Sequence, residues 1–307
     1  MREDAAPVRI GSRLIPVAAL ALVAFLILSR GGSVLAALAA VPAWAIAGAV
    51  AAHLLTLSLR TEAWRTVLRA AGGAELDPAD LHAANAGAFL AGTVQGQAAM
   101  PARIALLRRF GGDEAPAVSQ LALADAPIVM FEVCTSAVLA AIASTAVGTI
   151  PAWAPFAMIG AAVAVLAALR LLYGRFRERR ITAGLGVLAD PALRNRLALV
   201  VAAFTALAFV RTWIVLAGFD LPTDPAHVCL VLFTMGAIGL LPLGIGTGPA
   251  ATVAALGSTN LIAATAAGMV VSSATVVAVL LYAGLTWVWR TRIAPARIAA
   301  TAPALPR

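Results

Sequence analysis

LALVVAAFTALAFVRTWIVLAG, at residues 197–218, contains a single charged residue, Arg211. A helix needs about 20 mostly apolar residues to cross the hydrocarbon core of a bilayer. Comparable runs recur along the chain, of which 62% is hydrophobic and 12% is charged. A soluble domain has roughly 45–50% apolar and about 25% charged residues. The sequence therefore predicts an all-α fold, a polytopic bundle of transmembrane helices.

The apolar runs predict six full spans in a single integral membrane domain over residues 1–307. The spans are expected at residues 14–29, 34–59, 117–147, 152–172, 197–218 and 261–289. The first run follows Arg9 and Arg13, so it also fits the charged and apolar regions of a signal peptide. We favour an uncleaved first span because this run opens a series of similar ones.

Two further elements, at residues 82–109 and 227–257, are apolar but broken. The second is interrupted between Pro242 and Pro249 by several glycines. The first contains the amide side chains of Asn85, Gln95 and Gln97 and is expected to break at Pro101. Irregular backbone at membrane depth must be satisfied by protein or by a water-filled cavity. We therefore expect re-entrant helices at both places.

The order of spans and broken elements favours an inverted repeat with halves at 14–147 and 152–289. Each half would contain two spans, a broken element and a final span, and the halves would have opposite orientations. Interrupted helices at matching positions are typical of secondary transporters, whose substrate site lies where the repeats meet. The alternative is a chance pairing of apolar segments.

The placement of the arginines predicts the orientation. All 22 basic residues are arginines, and the net charge is +8. Nearly all of them lie in segments 1–13, 60–80, 100–112, 173–196 and the basic tail at 290–307. Because cytoplasmic loops carry an excess of Lys and Arg, we expect both termini in the cytoplasm and the spans in the plasma membrane. Basic–aromatic motifs on a soluble face are missing from the sequence, which argues against nucleic acid as a partner.

Three charged residues, Asp125, Glu132 and Arg211, lie inside predicted spans and away from the span ends, where each costs on the order of 3 kcal/mol. Such residues usually have a function. Asp125 and Glu132 are seven positions apart, so they should share one helix face, and Pro127 between them should kink the helix. We expect this face to line an inner polar track, suited to binding an arginine or a cation. Arg211 is expected to pair with Glu132 or to bind a phosphate. The alternative is that these residues only hold neighbouring helices together.

Two groups of arginines lie close to the ends of predicted spans. Arg60 and Arg65 flank Trp64 after the second span, and Arg103 follows Pro101 in the first broken element. Because a guanidinium group can bind phosphate through two parallel hydrogen bonds, either group could hold a lipid phosphate. The plainer alternative is that these arginines only determine the topology.

The sequence contains no pattern that predicts a cofactor, a metal site or an enzyme. Cys134 and Cys229 lie in separate apolar runs, and the three histidines lack metal-ligand spacing. GIGTGPA at 244–250 follows no predicted strand, so we reject a nucleotide-binding loop.

Four motifs resemble the flippase-like membrane family that is typified by the membrane half of lysylphosphatidylglycerol synthase. The resemblance covers most of the chain and implies a membrane module that handles lipid. The soluble aminoacyl-transferring domain of the full synthase has no counterpart in these residues, so synthase activity is not expected. The motifs are LRTEAWRTVLRAAGG at 59–73, MPARIALLRRFGG at 100–112, LADAPIVMFE at 123–132 and LLPLGIGTGPAA at 240–251.

These observations favour a lipid transporter or flippase-like protein for a phospholipid or lipid-linked substrate. One alternative is a non-catalytic membrane subunit that anchors a separately encoded lipid-modifying enzyme, and another is a membrane-embedded lipid transferase. In the favoured interpretation the arginines hold phosphate, and the intramembrane charges and the broken element line the route. The residues expected there are Arg60, Arg65, Arg103, Asp125, Glu132, Arg211, Gln95, Gln97 and Pro101.

Overall fold

A computed structural model describes most of the chain between residues 32 and 293, and all regular elements in the described residues are helical. Five helical ranges are long and apolar enough to cross a membrane: Ala43–Ala70, Val118–Ser144, Trp153–Phe176, Pro191–Gly218 and Leu261–Arg292. They confirm five of the predicted spans, and the span expected at 14–29 lies outside the described residues. Those residues are 32–72, 76–95, 98–111, 117–121, 123–147, 151, 153–176, 178–239, 247–256 and 261–293.

The helices are numbered from Ala43, and a short helical segment at 32–39 precedes them. In chain order they are α1 Ala43–Ala70, α2 Pro78–Val94, α3 Ala99–Gly111, α4 Val118–Leu121, α5 Ala126–Val147, α6 Trp153–Phe176, α7 Pro191–Gly218, α8 Pro225–Gly239, α9 Thr247–Leu256 and α10 Leu261–Val288. A 3₁₀ helix, Arg180–Leu188, lies between α6 and α7.

Helices α1 and α7 pack side by side in opposite directions. The start of α1 lies against the end of α7, because a Cβ on Gly218 would come within 2.7 Å of the Ala45 Cβ. Towards the other end of the pair, the Arg60 guanidinium lies over the Phe204 ring. The absence of a side chain at Gly218 therefore permits the close approach of the two helices.

The first broken element is an antiparallel hairpin of α2 and α3. Gly87 on α2 faces Leu106 on α3, and a Cβ on Gly92 would lie 3.1 Å from the Ala99 Cβ. The predicted break at Pro101 is wrong, because the helix ends at Val94 and Pro101 lies in the first turn of α3. Proline is tolerated there since the first amides of a helix have no intrahelical acceptor. Re-entry of this hairpin into the membrane stays a prediction.

The second broken element consists of α8 and α9, which pack against each other. Its interruption, at residues 240–246, lies outside the described residues. Helix α9 also packs on α10, where Gly248 and Gly268 bring the two backbones together. A Cβ on Gly268 would lie 2.5 Å from the Pro249 Cα. Small residues allow this kind of close packing between membrane helices.

The acidic segment at 123–132 differs from the predicted kinked helix. Helix α5 begins at Ala126, so Asp125 precedes it and Pro127 lies in its first turn. The Leu123 carbonyl accepts a hydrogen bond from the Ala126 amide at 3.3 Å. Pro127 therefore marks the start of the helix, and Asp125 and Glu132 do not share one continuous helical face.

Part of the arginine-rich loop between α6 and α7 is buried, which the sequence analysis did not predict. The 3₁₀ helix contains an uncharged run, TAGLGVL, at residues 182–188. Leu185 and Val187 are fully buried, and a Cβ on Gly184 would lie 2.7 Å from the Ala124 Cα. This segment packs on α1, α4 and α6. It therefore supports the turn that carries Asp125.

The final span of each predicted half packs on elements of the other half. Helix α10 contacts α1 and α2, and α5 contacts α7 and α8. The division into inverted halves itself stays a prediction. These contacts bring the first broken element and the acidic segment into one bundle with α1 and α7.

Candidate functional site

Arg60 on α1 and Glu132 on α5 form an ion pair. The Arg60 guanidinium also lies 5.1 Å from the centroid of the Phe204 ring on α7. The two charged side chains keep 40% and 28% of their surface exposed. The pair is therefore held between three helices and yet can be reached from outside the protein.

Arg103 on α3 and Asp125 form a second ion pair, with 3.7 Å between Arg103 Nη1 and Asp125 Oδ1. The guanidinium lies 4.4 Å from the Trp64 ring and 5.7 Å from the Phe89 ring. Its side chain is only 7% exposed, whereas the Asp125 side chain is 39% exposed. Cation–π contacts thus hold Arg103 inside, and the carboxylate forms the accessible side of the pair.

The two ion pairs are close enough to act on each other, since Arg103 interacts electrostatically with Arg60, Asp125 and Glu132. We call these four residues the double ion pair. Each pair is neutral overall. When a pair opens, its guanidinium and its carboxylate each lose their partner, and a polar ligand can take the place of either one. A carboxylate that leaves a guanidinium makes room for another oxyanion, such as phosphate.

Glu62 holds the neighbouring basic side chains. One carboxylate oxygen accepts from Arg65 Nη1 at 3.4 Å, and the other accepts from Arg196 Nη2 at 3.4 Å. His82 Nε2 lies 4.0 Å from the same carboxylate. Arg65 is therefore paired, and its side chain keeps 31% exposure. We call this side of the molecule, with Arg60, Arg65, Arg103 and Arg196, the arginine-rich end.

Arg211 on α7 does not pair with Glu132, as one sequence hypothesis expected. Its Nη1 lies 2.7 Å from His53 Nδ1 on α1 and 3.3 Å from Thr275 Oγ1 on α10. Its Nε is buried without a hydrogen-bond partner among the residues that the structure describes. Glu132 is instead occupied by Arg60, which lies seven residues, about 10 Å, along α1 from His53.

Residues 13–300 match a family model described as the lysylphosphatidylglycerol synthase TM region. The chain belongs to this family. The resemblance inferred from the four sequence motifs is therefore confirmed over almost the whole chain. None of the curated proteins and none of the solved structures compared with the chain matches it.

Membership of the lysylphosphatidylglycerol synthase TM family and the apolar helices together identify a multi-pass membrane protein. The family is named for the membrane region of a lipid-modifying enzyme, which relates this protein to lipid modification or flipping. The double ion pair lies wholly within three of the motifs behind the resemblance, since Arg60 is in 59–73, Arg103 is in 100–112, and both acidic residues are in 123–132. The family assignment and the charged cluster therefore refer to the same region of the chain.

Three predicted site residues of this family member do not reach the cluster or cannot be placed. Gln95 is exposed at the end of α2, where its backbone N–H donates to the Ala91 carbonyl at 3.0 Å. Pro101 is exposed in the first turn of α3, and Gln97 lies outside the described residues.

The sequence analysis missed a polar group that lies beside the double ion pair. Tyr282 on α10 places its hydroxyl 2.6 Å from His82 Nδ1 and 2.9 Å from Thr61 Oγ1. Arg290 Nε, after α10, donates to Asp80 Oδ1 at 2.5 Å. Polar side chains in an otherwise apolar final span were the available signal, because such groups need partners in a membrane.

Metal binding finds no support in the part of the chain that the structure describes. No group of three or more His, Cys, Asp or Glu side chains there is close enough to hold an ion. Cys134 is half-buried and Cys229 is buried, and both are free.

Proposed function

We propose that this protein is a flippase-like lipid transporter, in which the headgroup of a phospholipid or lipid-linked substrate binds at the double ion pair. The observation that carries the proposal is the partial exposure of Arg60, Glu132 and Asp125 within a membrane bundle. Charges kept inside membrane proteins usually face a polar route or a ligand. We place the arginine-rich end on the cytoplasmic side of the plasma membrane, since the arginines cluster there.

The ion pairs provide a way to admit a phosphate without leaving a charge alone. A lipid phosphate would replace Glu132 on Arg60, because guanidinium binds carboxylate and phosphate in the same forked geometry. The displaced carboxylate would then take a proton or contact a cationic or hydroxyl group of the headgroup. Binding would thus exchange partners and would not expose an unpaired charge to hydrocarbon.

Arg103 has a different part in this proposal. Because Trp64 and Phe89 hold its guanidinium in place, it acts as a fixed positive charge, while Asp125 can move away. The Arg103–Asp125 pair joins the hairpin of α2 and α3 to the turn at residues 123–125, which precedes α5. The hairpin and the turn form the side of the bundle through which we expect a headgroup to enter.

The test is lipid movement in vesicles that contain the purified protein and a fluorescent phosphatidylglycerol. Dithionite quenches only the label in the outer leaflet, so the quenched fraction measures exchange between leaflets. We expect fast exchange with the wild-type protein and loss of exchange with Glu132→Gln. Arg170→Gln is the control, because Arg170 is an exposed arginine on α6 and takes no part in the double ion pair.

Equal exchange in wild-type and protein-free vesicles would contradict the proposal. It would favour an accessory subunit for a lipid-modifying enzyme, and a stable partner in detergent pull-downs would then be expected. Lipid mass spectrometry of a deletion strain separates the remaining alternative, since a missing lipid species indicates a transferase. Unchanged species with altered distribution between leaflets agree with transport.

A further inference from the structure

Arg211 carries a charge that no acidic side chain in the described part of the chain neutralises. A guanidinium keeps its charge in proteins, and its two polar partners here, His53 and Thr275, are neutral acceptors. The charged residue that acts on it electrostatically, among those described, is Arg60, which is also a cation. The acidic residues outside the described part of the chain are Glu3, Asp4, Glu75, Asp113 and Glu114, and none lies in a predicted span.

The hydrogen bonds around Arg211 define what the group can still bind. An arginine only donates, so His53 Nδ1 must accept, and the ring proton of the neutral imidazole is on Nε2. Thr275 donates its own hydroxyl proton to the Val271 carbonyl at 2.9 Å, so it accepts from Arg211. The donors without a partner among the described residues are therefore the buried Arg211 Nε, the Arg211 Nη2 group and His53 Nε2.

The charge of the interior selects the ligand. The pairs Arg60–Glu132 and Arg103–Asp125 are neutral, so among these described intramembrane charges Arg211 is left as one excess positive charge. An isolated charge at a helix centre costs about 3 kcal/mol. A singly negative phosphodiester would neutralise this charge and would accept hydrogen bonds from the free donors.

We propose that Arg211, with His53 and Thr275, is a binding site for the singly negative phosphodiester of a lipid part-way across the bundle. The proposal rests on the proposed transport function and adds a second phosphate-binding site to the route. Along α1 the site lies about 10 Å beyond Arg60, away from the arginine-rich end. A phosphate released from the double ion pair would next meet Arg211, and a doubly charged headgroup would be held less well there.

Binding can be measured without transport, by native mass spectrometry of delipidated protein. The ligands are dioleoyl phosphatidylglycerol, dioleoylglycerol as its phosphate-free counterpart, and inorganic phosphate. We expect the wild-type protein to bind phosphatidylglycerol at both sites and not to bind dioleoylglycerol. Arg211→Gln should retain the lipid at the double ion pair and weaken binding of the second lipid about tenfold or more, since hydrogen bonds to a charged group are lost. Arg170→Gln should bind as the wild type does.

His53→Glu provides a second variant that does not remove the arginine. The new carboxylate would neutralise Arg211 from within, so the helices stay joined while the site for an external anion is filled. We expect a folded protein with about tenfold weaker binding of the second phosphatidylglycerol. If Arg211 only clamped α1, α7 and α10, this variant would bind lipid as well as the wild type.

Each outcome decides between the two proposals. Unchanged phosphatidylglycerol binding in both variants would overturn the Arg211 site, even where vesicles show transport. Competition by inorganic phosphate as strong as that of the lipid would assign the site to a free anion and overturn the lipid assignment. A wild-type protein that binds phosphatidylglycerol through Arg211 but moves no lipid would contradict the transport function and leave the site intact.

Discussion

Arg60 and Glu132 are 72 positions apart in the sequence, yet their side chains form the ion pair that joins α1 to α5. Both side chains are more than a quarter exposed, so the pair is neither a buried clamp nor a simple surface contact. A pair with this exposure can change partners at modest cost. The predictions below separate its role in folding from its role in lipid binding.

Exchanging the two charges tests which role dominates. The double variant Arg60→Glu, Glu132→Arg should restore most of the stability that Glu132→Gln loses, about 1–2 kcal/mol for a half-exposed pair. Lipid exchange should stay lost, because the cation has moved from α1 to α5, away from Phe204. Thermal unfolding in detergent and vesicle exchange measure the two effects. Recovery of exchange together with stability would mean that the pair acts only as a clamp.

Arg103→Lys tests the aromatic support of the second pair. The ammonium group keeps the charge but loses the planar stacking on Trp64, so we expect a loss of about 1 kcal/mol in stability. Arg108→Lys, on the same helix but exposed, should change stability by less than about 0.5 kcal/mol. In a Cys134→Ser background a thiol-reactive dye reports unfolding, since Cys229 is buried. Equal stability of both variants would show that the ring contacts contribute little.

Gly268→Ala tests the close contact between α9 and α10. The added methyl would meet the backbone of Pro249 and Gly248, which cannot move aside as a side chain can. We expect destabilisation of about 1–3 kcal/mol by overpacking. Gly284→Ala, also on α10, has no atom within 4 Å of its new Cβ and should leave stability unchanged or raise it by up to about 1 kcal/mol. Similar unfolding temperatures for the two variants would contradict the contact.

Tyr282→Phe removes the hydroxyl that joins α10 to both α1 and α2. Loss of the contacts with Thr61 and His82 should cost about 1–2 kcal/mol, because the hydroxyl is partly buried among groups that then lack a partner. The other tyrosine provides the control, and Tyr173→Phe should have little effect. Thermal unfolding under identical detergent conditions compares the two variants. An unchanged unfolding temperature for Tyr282→Phe would indicate that His82 and Thr61 find other partners.

Hydropathy predicted the membrane class and five spans, because the length and composition of a spanning helix follow from the bilayer itself. Helix starts have a local signal of their own, an acidic residue followed closely by proline. Asp77 precedes Pro78 and accepts a hydrogen bond from the Ala79 amide at 2.6 Å, as the helix-start signal indicates. Asp190 before Pro191 does the same with the Ala192 amide at 2.8 Å, although the sequence analysis began that span at 197.

The same signal was misread at Asp125 and Pro127. A long apolar run continues on both sides of this proline, so composition alone favoured one kinked helix. The structure starts α5 there, which moves Asp125 off the helix and beside Arg103. Propensity cannot distinguish a proline in a helix from one at its start when the flanking residues are apolar.

The partners of the charged residues could not be predicted from the sequence. The sequence predicted that the acidic residues bind an arginine or a cation, because an isolated charge in a membrane is costly. Which arginine pairs with which acid depends on the packing of distant helices. Arg211 illustrates this, because its contact with His53 follows from the register of α1 against α7.

Helix α10 touches both broken elements, through Gly268 at α9 and through Tyr282 at α2. The two contacts are about 21 Å apart on one continuous helix. Since the Gly268 contact is backbone against backbone, α9 cannot slide along α10 without carrying it. A displacement of α9 would therefore move α10 and, through Tyr282, also α2. The two broken elements would then move together and not one at a time.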